Sequence, residues 1–288
     1  MVTGVFLMIH LVPGDPVVLM LGENAQPADY EALREQLGLN KGLGEQYIEF
    51  WGHLLKMDLG KSIYHRQPVM ELIGQRLPAT AALAVGALFV SLLLSLPLGI
   101  ISALKPGKWP DYLALGVSIL GISVPIFWLG PLLIIIFAVK LHWLPVAGLN
   151  SWKHLILPSI ALGFGLAAIT TRIIRASMIE VLNQNYIKTA KAKGLSQWEV
   201  LRSHALKNAM IPVVTVIGLQ LGALLGGAII TEMVFSYPGV GRLLILSILR
   251  RDYPMVQGAI LVISTIYLVV NLLTDIIYGY LDPRIRLQ

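Results

Sequence analysis

Five stretches of this chain carry no charged side chain over lengths that match the thickness of a lipid bilayer. Leu77 to Leu104 and Tyr112 to Val139 are each uncharged for about 28 residues, Asn208 to Thr231 for about 24, Tyr253 to Thr274 for about 22 and Leu155 to Thr171 for about 17. A helix needs about 20 mostly apolar residues to cross a membrane. Only 13% of the residues are charged and 56% are hydrophobic, against about 25% charged in a soluble domain. Mean hydropathy is +0.74. Within lipid the backbone must satisfy its own hydrogen bonds, which restricts spanning segments to helices or closed barrels. Runs of this length predict helices, and no strand pattern persists along the chain. Cysteine is absent, which excludes a disulfide framework, a thiol nucleophile and any Cys-based metal site.

The first eleven residues are apolar but too short to cross. They read as the remnant of a first span that begins upstream, giving an all-α polytopic protein with six transmembrane helices, the first truncated. A signal peptide is the weaker reading, because a basic start and a small-residue cleavage site are both missing. The placement of Lys and Arg orients the spans. Residues 105–111 carry two basic side chains, residues 172–207 carry seven against two acidic, and the tail holds Arg284 and Arg286. With six spans these segments share one side, expected to be the cytoplasm, with both termini facing inward. Residues 12–76 carry nine acidic and six basic side chains and fall outside. Residues 232–252 dissent mildly through Arg242, Arg250 and Arg251. The net charge of +6 therefore follows membrane topology, and no nucleic-acid partner is expected.

The chain divides into the remnant at 1–11, an external helical segment at 12–76 and a membrane core at 77–288. Asp15-Pro16 reads as a helix start. Tyr30 to Leu37 and Glu45 to Leu55 read as short helices, the second with Tyr47, Phe50, Trp51 and Leu54 on one side, facing protein or the membrane surface. Pro97, Pro125, Pro131, Pro158 and Pro212 should kink or end helices. Gly218, Gly222 and Gly226 recur every four residues and permit close approach of another helix, either as a packing seam or as the lining of a pathway. Glu232, Pro238, Gly239 and Gly241 read as an external turn.

The most informative stretch is the basic loop at 183–208. It reads as two helices hinged at Gly194, which can take the left-handed conformation that closes a helix, with Ser196 capping the next. Ala190 and Ala192 before the hinge would let a partner approach the backbone, and Trp198, Val200 and Leu201 follow it. Docking to a soluble partner and lying on anionic lipid both fit this composition.

The loop resembles the cytoplasmic "EAA" segment of bacterial ABC importer permeases, whose pattern is Glu-Ala-Ala, three residues, Gly, nine residues, Ile-x-Leu-Pro. Lys188, Thr189 and Ala190 stand at the first three positions. Gly194 and Leu206 match, while His204 and Lys207 replace Ile and Pro. The local text from Tyr186 through Thr189, Ala190, Ala192, Lys193 and Gly194, then His204, Leu206, Asn208 and Pro212, is similar to the B-type subunit of the peptide/nickel branch. Further landmarks follow in the same order: Pro13-Gly-Asp-Pro16, Leu37-Gly-Leu39, Asp58-Leu-Gly60, Ser123-x-Pro125, Glu232-x-x-Phe235-Ser-x-Pro-Gly-x-Gly241, Arg251-Asp-Tyr-Pro254 and Asp282-Pro-Arg-Ile-Arg286. The resemblance implies a permease of the bacterial cytoplasmic membrane with a second homologous permease subunit. It also implies two ATPase subunits that hold ATP and Mg and grip the loop, and a soluble binding protein on the outer face, periplasmic or extracellular. The cargo it implies is short peptides, with glutathione, an opine or chelated nickel as alternatives.

Nothing in the chain reads as a nucleotide site or a catalytic centre of its own. Pro106-Gly107-Lys108 is followed by Trp109, and Ser102 occupies the first glycine position of a phosphate loop. The six His residues form no HExxH or ligand-spaced pair. His142 and His154 flank a loop where an interfacial role is the simpler reading. Asp275, with Asn271 one turn before it, is the clear ionisable candidate within a span, a turn or two from its inner end, and structural pairing with an arginine of another helix is favoured over substrate or proton binding, with Arg172 and Arg175 as partners or lipid anchors. An ion-driven secondary transporter would carry more intramembrane charge and often inverted repeats. A membrane-embedded enzyme would need convergent acid–base groups.

Overall fold

The computed structural model describes residues 2–11, 17, 21, 26–36 and 40–281. The predicted helix start at Asp15-Pro16 and the landmarks at Leu37-Gly-Leu39 and Asp282–Arg286 lie outside these residues. Among those described, regular structure is helical, apart from an isolated antiparallel bridge between Lys61 and Pro68. The chain falls into two compact units, residues 1–78 with 239–266 and residues 79–238 with 267–288.

In the first unit, α1 (Val2–Leu11) is followed by α2 (Pro27–Gln36) and α3 (Leu43–Leu55). Pro27 takes the first helical position of α2, where its missing N–H costs nothing, so that helix starts earlier than the predicted Tyr30. The aromatic side of α3 rests on α1. The rings of Tyr47 and Phe50 lie 5.2 and 5.6 Å from that of Phe6, and Tyr47 Oη lies 2.9 Å from Thr3 Oγ1. Of the two partners open to this aromatic face, protein occupies it at Tyr47 and Phe50. The unit is completed by the start of α4 (Val69–Leu104), by α11 (Val240–Leu249) and by the first half of α12 (Tyr253–Leu281).

The second unit is built around α7 (Lys153–Leu182). More than half of its apolar window is buried within the chain (56%), against 22% for α4 and for α12. The first is therefore a central helix and the others each leave a broad apolar side uncovered. Lipid tails are as apolar as leucine, so helices associate here through close packing at small residues rather than through the hydrophobic effect. A Cβ on Gly163 of α7 would come within 2.5 Å of the Ala87 carbonyl of α4, and one on Gly99 within 2.7 Å of Ile174. α5 (Trp109–Ser123) and α10 (Leu206–Val234) also pack on α7.

The predicted span Tyr112–Val139 is not one straight helix. It breaks between α5 and α6 (Ile126–Leu133) with a bend of 105°. Pro125 has no N–H to continue the ladder, and it drives Val124 into extended geometry at φ −86°, ψ 115°. Beyond Pro131 the chain winds as a π-helix over Ile134–Lys140. Pro97, Pro158 and Pro212 lie inside continuous helices, so only Pro125 ends one. Among the described residues, four helices are long and apolar enough to cross a membrane, or five if the bent pair counts as one span.

Candidate functional site

The basic loop folds as the hinge chemistry requires. α8 (Asn185–Ala192) ends at Gly194, whose φ of +85° lies in the left-handed region. The Gly194 N–H donates to the Lys191 carbonyl at 3.0 Å, and Lys193 N–H to Thr189 at 3.0 Å. The next helix, α9 (Gln197–Glu199), opens with a capping box. Glu199 N–H donates to Ser196 Oγ at 3.3 Å, and Ser196 N–H donates to Glu199 Oε2 at 2.9 Å. α9 continues through a π-wound turn, Val200–Ala205, into α10.

The two faces of this helical pair differ. Ile187, Ala190, Val200 and Ala205 are buried on Ile174 and Met178 of α7. Ala190 therefore packs inward, and of the two small residues expected to admit a partner only Ala192 is exposed. Lys188, Thr189, Lys191, Lys193, Gly194 and Glu199 line the exposed side, with Trp198 68% exposed. His204 is half-buried and its carbonyl accepts from Asn208 Nδ2 at 3.0 Å. The same amide donates to Tyr186 Oη at 2.9 Å, tying α8 to α10. Leu206 packs against the same core. Between the ends of α4 and α7 and this pair lies a cavity of about 620 Å³, lined by Leu104, Asn183, Lys191 and Trp198 among others.

Asp111, which the sequence did not single out, braces the same end of the unit. It is 2% exposed. Arg175 donates to it through Nε at 2.6 Å and a second guanidinium nitrogen at 2.8 Å. Ser102 Oγ donates at 2.5 Å, and the Gly107 N–H at 2.8 Å. One carboxylate thus fastens the end of α4, the turn after it, the start of α5 and the middle of α7. Its position four residues after the turn glycine Gly107 and beside helical Pro110 was the available signal. Arg175 is consequently not a partner for Asp275, and Arg172 is exposed. Asp275 is itself exposed and makes no ion pair among the described residues, which overturns its expected pairing with either arginine.

The glycine stripe on α10 divides. A Cβ on Gly218 would clash with the Thr274 side chain, and one on Gly222 would come within 2.7 Å of Tyr267, both on α12. Gly226 is exposed with nothing within 4 Å. Two of the three therefore form a packing seam inside the chain, and the third faces away from it. The expected external turn at Glu232, Pro238, Gly239 and Gly241 is also corrected. Glu232 is wholly buried in the last turns of α10, where Thr80 Oγ1 donates to it at 2.7 Å. The turn itself is made by Ser236 at φ +48° and by Pro238. Gly239 caps α11 in extended geometry and Gly241 is buried within that helix.

A long-helix membrane bundle that displays a capped, basic helix-turn-helix on one end is the architecture of an ABC transporter permease. The chain belongs to the family of binding-protein-dependent transport system inner membrane components, which it matches over residues 95–287, with the companion N-terminal family matched over residues 1–84. It is an inner-membrane, multi-pass transport component rather than an enzyme. Over 282 residues it is 44% identical to the glutathione transport system permease protein GsiC of Escherichia coli, covering 98% of this chain and 92% of that protein. The GsiC protein of Salmonella paratyphi A matches at the same identity and coverage. In fold it is similar to the MetNI methionine ABC transporter in inward-facing conformations, at a TM-score of 0.63 and 18% identity over 74% of this chain and 97% of the other. It is also similar to an amino acid ABC transporter solved with histidines, at 0.56 and 16% over 75% and 95%.

Proposed function

We propose that this permease works as one of a pair of homologous subunits, driven by two separate ATPase subunits that hold ATP and Mg, and that its cargo is glutathione or a short peptide. The observation that carries the reading is the two-faced helical pair at 183–208. One face is locked to α7 through Ile187, Ala190 and Val200, and the other presents Trp198 and three lysines left exposed by the described residues. A load applied to the exposed face passes directly into α7 and α10, which is what coupling to a soluble motor requires. The positive-inside bias puts this face in the cytoplasm. Counting α1 as the first span and the bent α5–α6 pair as the third gives six spans with both termini inside. The GsiC relatives support glutathione within the peptide class.

Reconstituting the complete transporter in vesicles tests this. Gly194 has open space around it, so Gly194→Val strains only the backbone, by about 1–2 kcal/mol for a left-handed L-residue. We expect membrane insertion to be normal, while ATPase retention on purification and ATP-driven uptake of labelled glutathione or dipeptide both fall. Wild-type coupling in this variant would remove the hinge from the mechanism. Uptake without any ATPase subunit would refute the reading as a whole.

A further inference from the structure

The basic residues at 250–251 dissent from the topology rule, and the structure holds them in a fixed setting within the first unit. Asp252 is 1% exposed. Its carboxylate accepts from the Ser62 hydroxyl and from the N–H groups of Ile63 at 3.1 Å, Tyr64 at 3.3 Å and Met255 at 3.4 Å. One buried side chain therefore staples the turn at 60–66 to the loop that opens α12. Around the staple Lys61, Arg66, Arg250 and Arg251 are all exposed, with His65 beside them. The one carboxylate of these two short segments is the buried staple, whose oxygens are already occupied, and none of the four exposed cations makes an ion pair among the described residues.

These cations are held rather than loose. The Arg250 guanidinium sits 3.9 Å over the centre of the Tyr64 ring, which is itself 58% exposed and edge-on to His65 at 5.0 Å. Arg66 and Arg251 adopt φ of +56° and +57°, conformations that cost about 1–3 kcal/mol for a non-glycine residue and persist only where the surroundings impose them. An arginine that merely anchors to lipid headgroups needs reach, and neither the ring contact of Arg250 nor the left-handed backbone of Arg66 and Arg251 supplies it. An arginine stacked on an exposed tyrosine is the combination that dominates protein–protein hot spots, because its ordering cost is met before the partner arrives.

We propose that the stapled loops 60–66 and 250–252 form a docking surface for an acidic patch on the soluble binding protein of this transport system. The inference rests on the orientation argued above, which puts these loops on the outer face. It also explains why cations persist on the side where membrane insertion disfavours them.

The test uses the complete transporter in nanodiscs of phosphatidylcholine alone and of phosphatidylcholine with phosphatidylglycerol, with its own binding protein as the probe. The double variant Arg66→Glu with Arg250→Glu should weaken binding-protein association about tenfold at low salt, mainly through the on-rate, and flatten its salt dependence in both lipids. Basal ATPase activity and thermal stability should not change. Lys153→Glu, which makes the same kind of charge change on another element, should leave association as in the wild type. Unchanged association in the double variant overturns the proposal, as does an effect confined to anionic nanodiscs, which would assign the surface to lipid. The chain has no native cysteine, so labelling Lys61→Cys with a membrane-impermeant maleimide checks the orientation separately. Labelling only from the cytoplasmic side would overturn the topology, whereas external labelling with unchanged association overturns the docking surface alone.

Discussion

At the residue scale, the functional end of the second unit depends on Asp111. Removing one partner of a buried, bidentate pair strands the other charge and costs about 3–5 kcal/mol. We expect Asp111→Ala to lower the thermal stability of the purified transporter and to loosen the end of α4 and the start of α5 from α7 together. Hydrogen exchange of the 102–111 turn reads this directly, and exchange unchanged from wild type would deny Asp111 its bracing role. Asp275 behaves differently. It was the charge that stood out in the sequence, because it interrupts an apolar run, yet it faces away from the described chain. Asp111 lies at a span boundary where acidic residues are common, and nothing adjacent announces that its partner is 64 residues away.

At the element scale, the two helical faces that matter are the 183–208 pair and the glycine stripe of α10. The hinge was legible because it is local chemistry: Gly194 supplies the left-handed turn and Ser196 with Glu199 the capping box. The role of Ala190 was not, because a small residue on a short helix serves equally for burial or for close approach by a partner. On α10 the structure separates three glycines that look equivalent in sequence. Gly222→Ala would press on the Tyr267 ring and should cost about 1–3 kcal/mol, as overpacking does. Gly226→Ala meets nothing within 4 Å among the described residues and should leave the stability of the isolated subunit unchanged. Denaturation of the two variants side by side checks the contrast, and equal losses would contradict the seam between α10 and α12. If Gly226→Ala weakens only the assembled transporter, that glycine belongs to a contact with another subunit, as the proposed pairing of permeases requires.

At the scale of the whole molecule, the topology makes a binary prediction. Lys193→Cys should react with an impermeant maleimide only when the reagent reaches the cytoplasmic side, because the hinge is exposed and expected inside. The opposite pattern would place the coupling segment on the outer face and end its role as an ATPase contact. The 105° break at Val124–Pro125 adds that residues 112–139 do not form a rigid rod. The α6 arm lies over the end of α10, where a Cβ on Gly130 would press on Val234 and Phe235. A straight helix through residues 112–139 could not make that contact.

Hydropathy, the helical character of the apolar runs, the charge asymmetry of the loops and the Gly194 turn were all determined by contiguous residues, since each depends on transfer energy or backbone preference within a few positions of the chain. The bracing of Asp111 by Arg175, the division of the α10 glycines and the burial of Asp252 against Ser62, 190 residues away, were decided only in three dimensions. A carboxylate or a glycine has no intrinsic preference for one distant partner over another, and its energy is set by what the packed helices bring within about 3 Å of it.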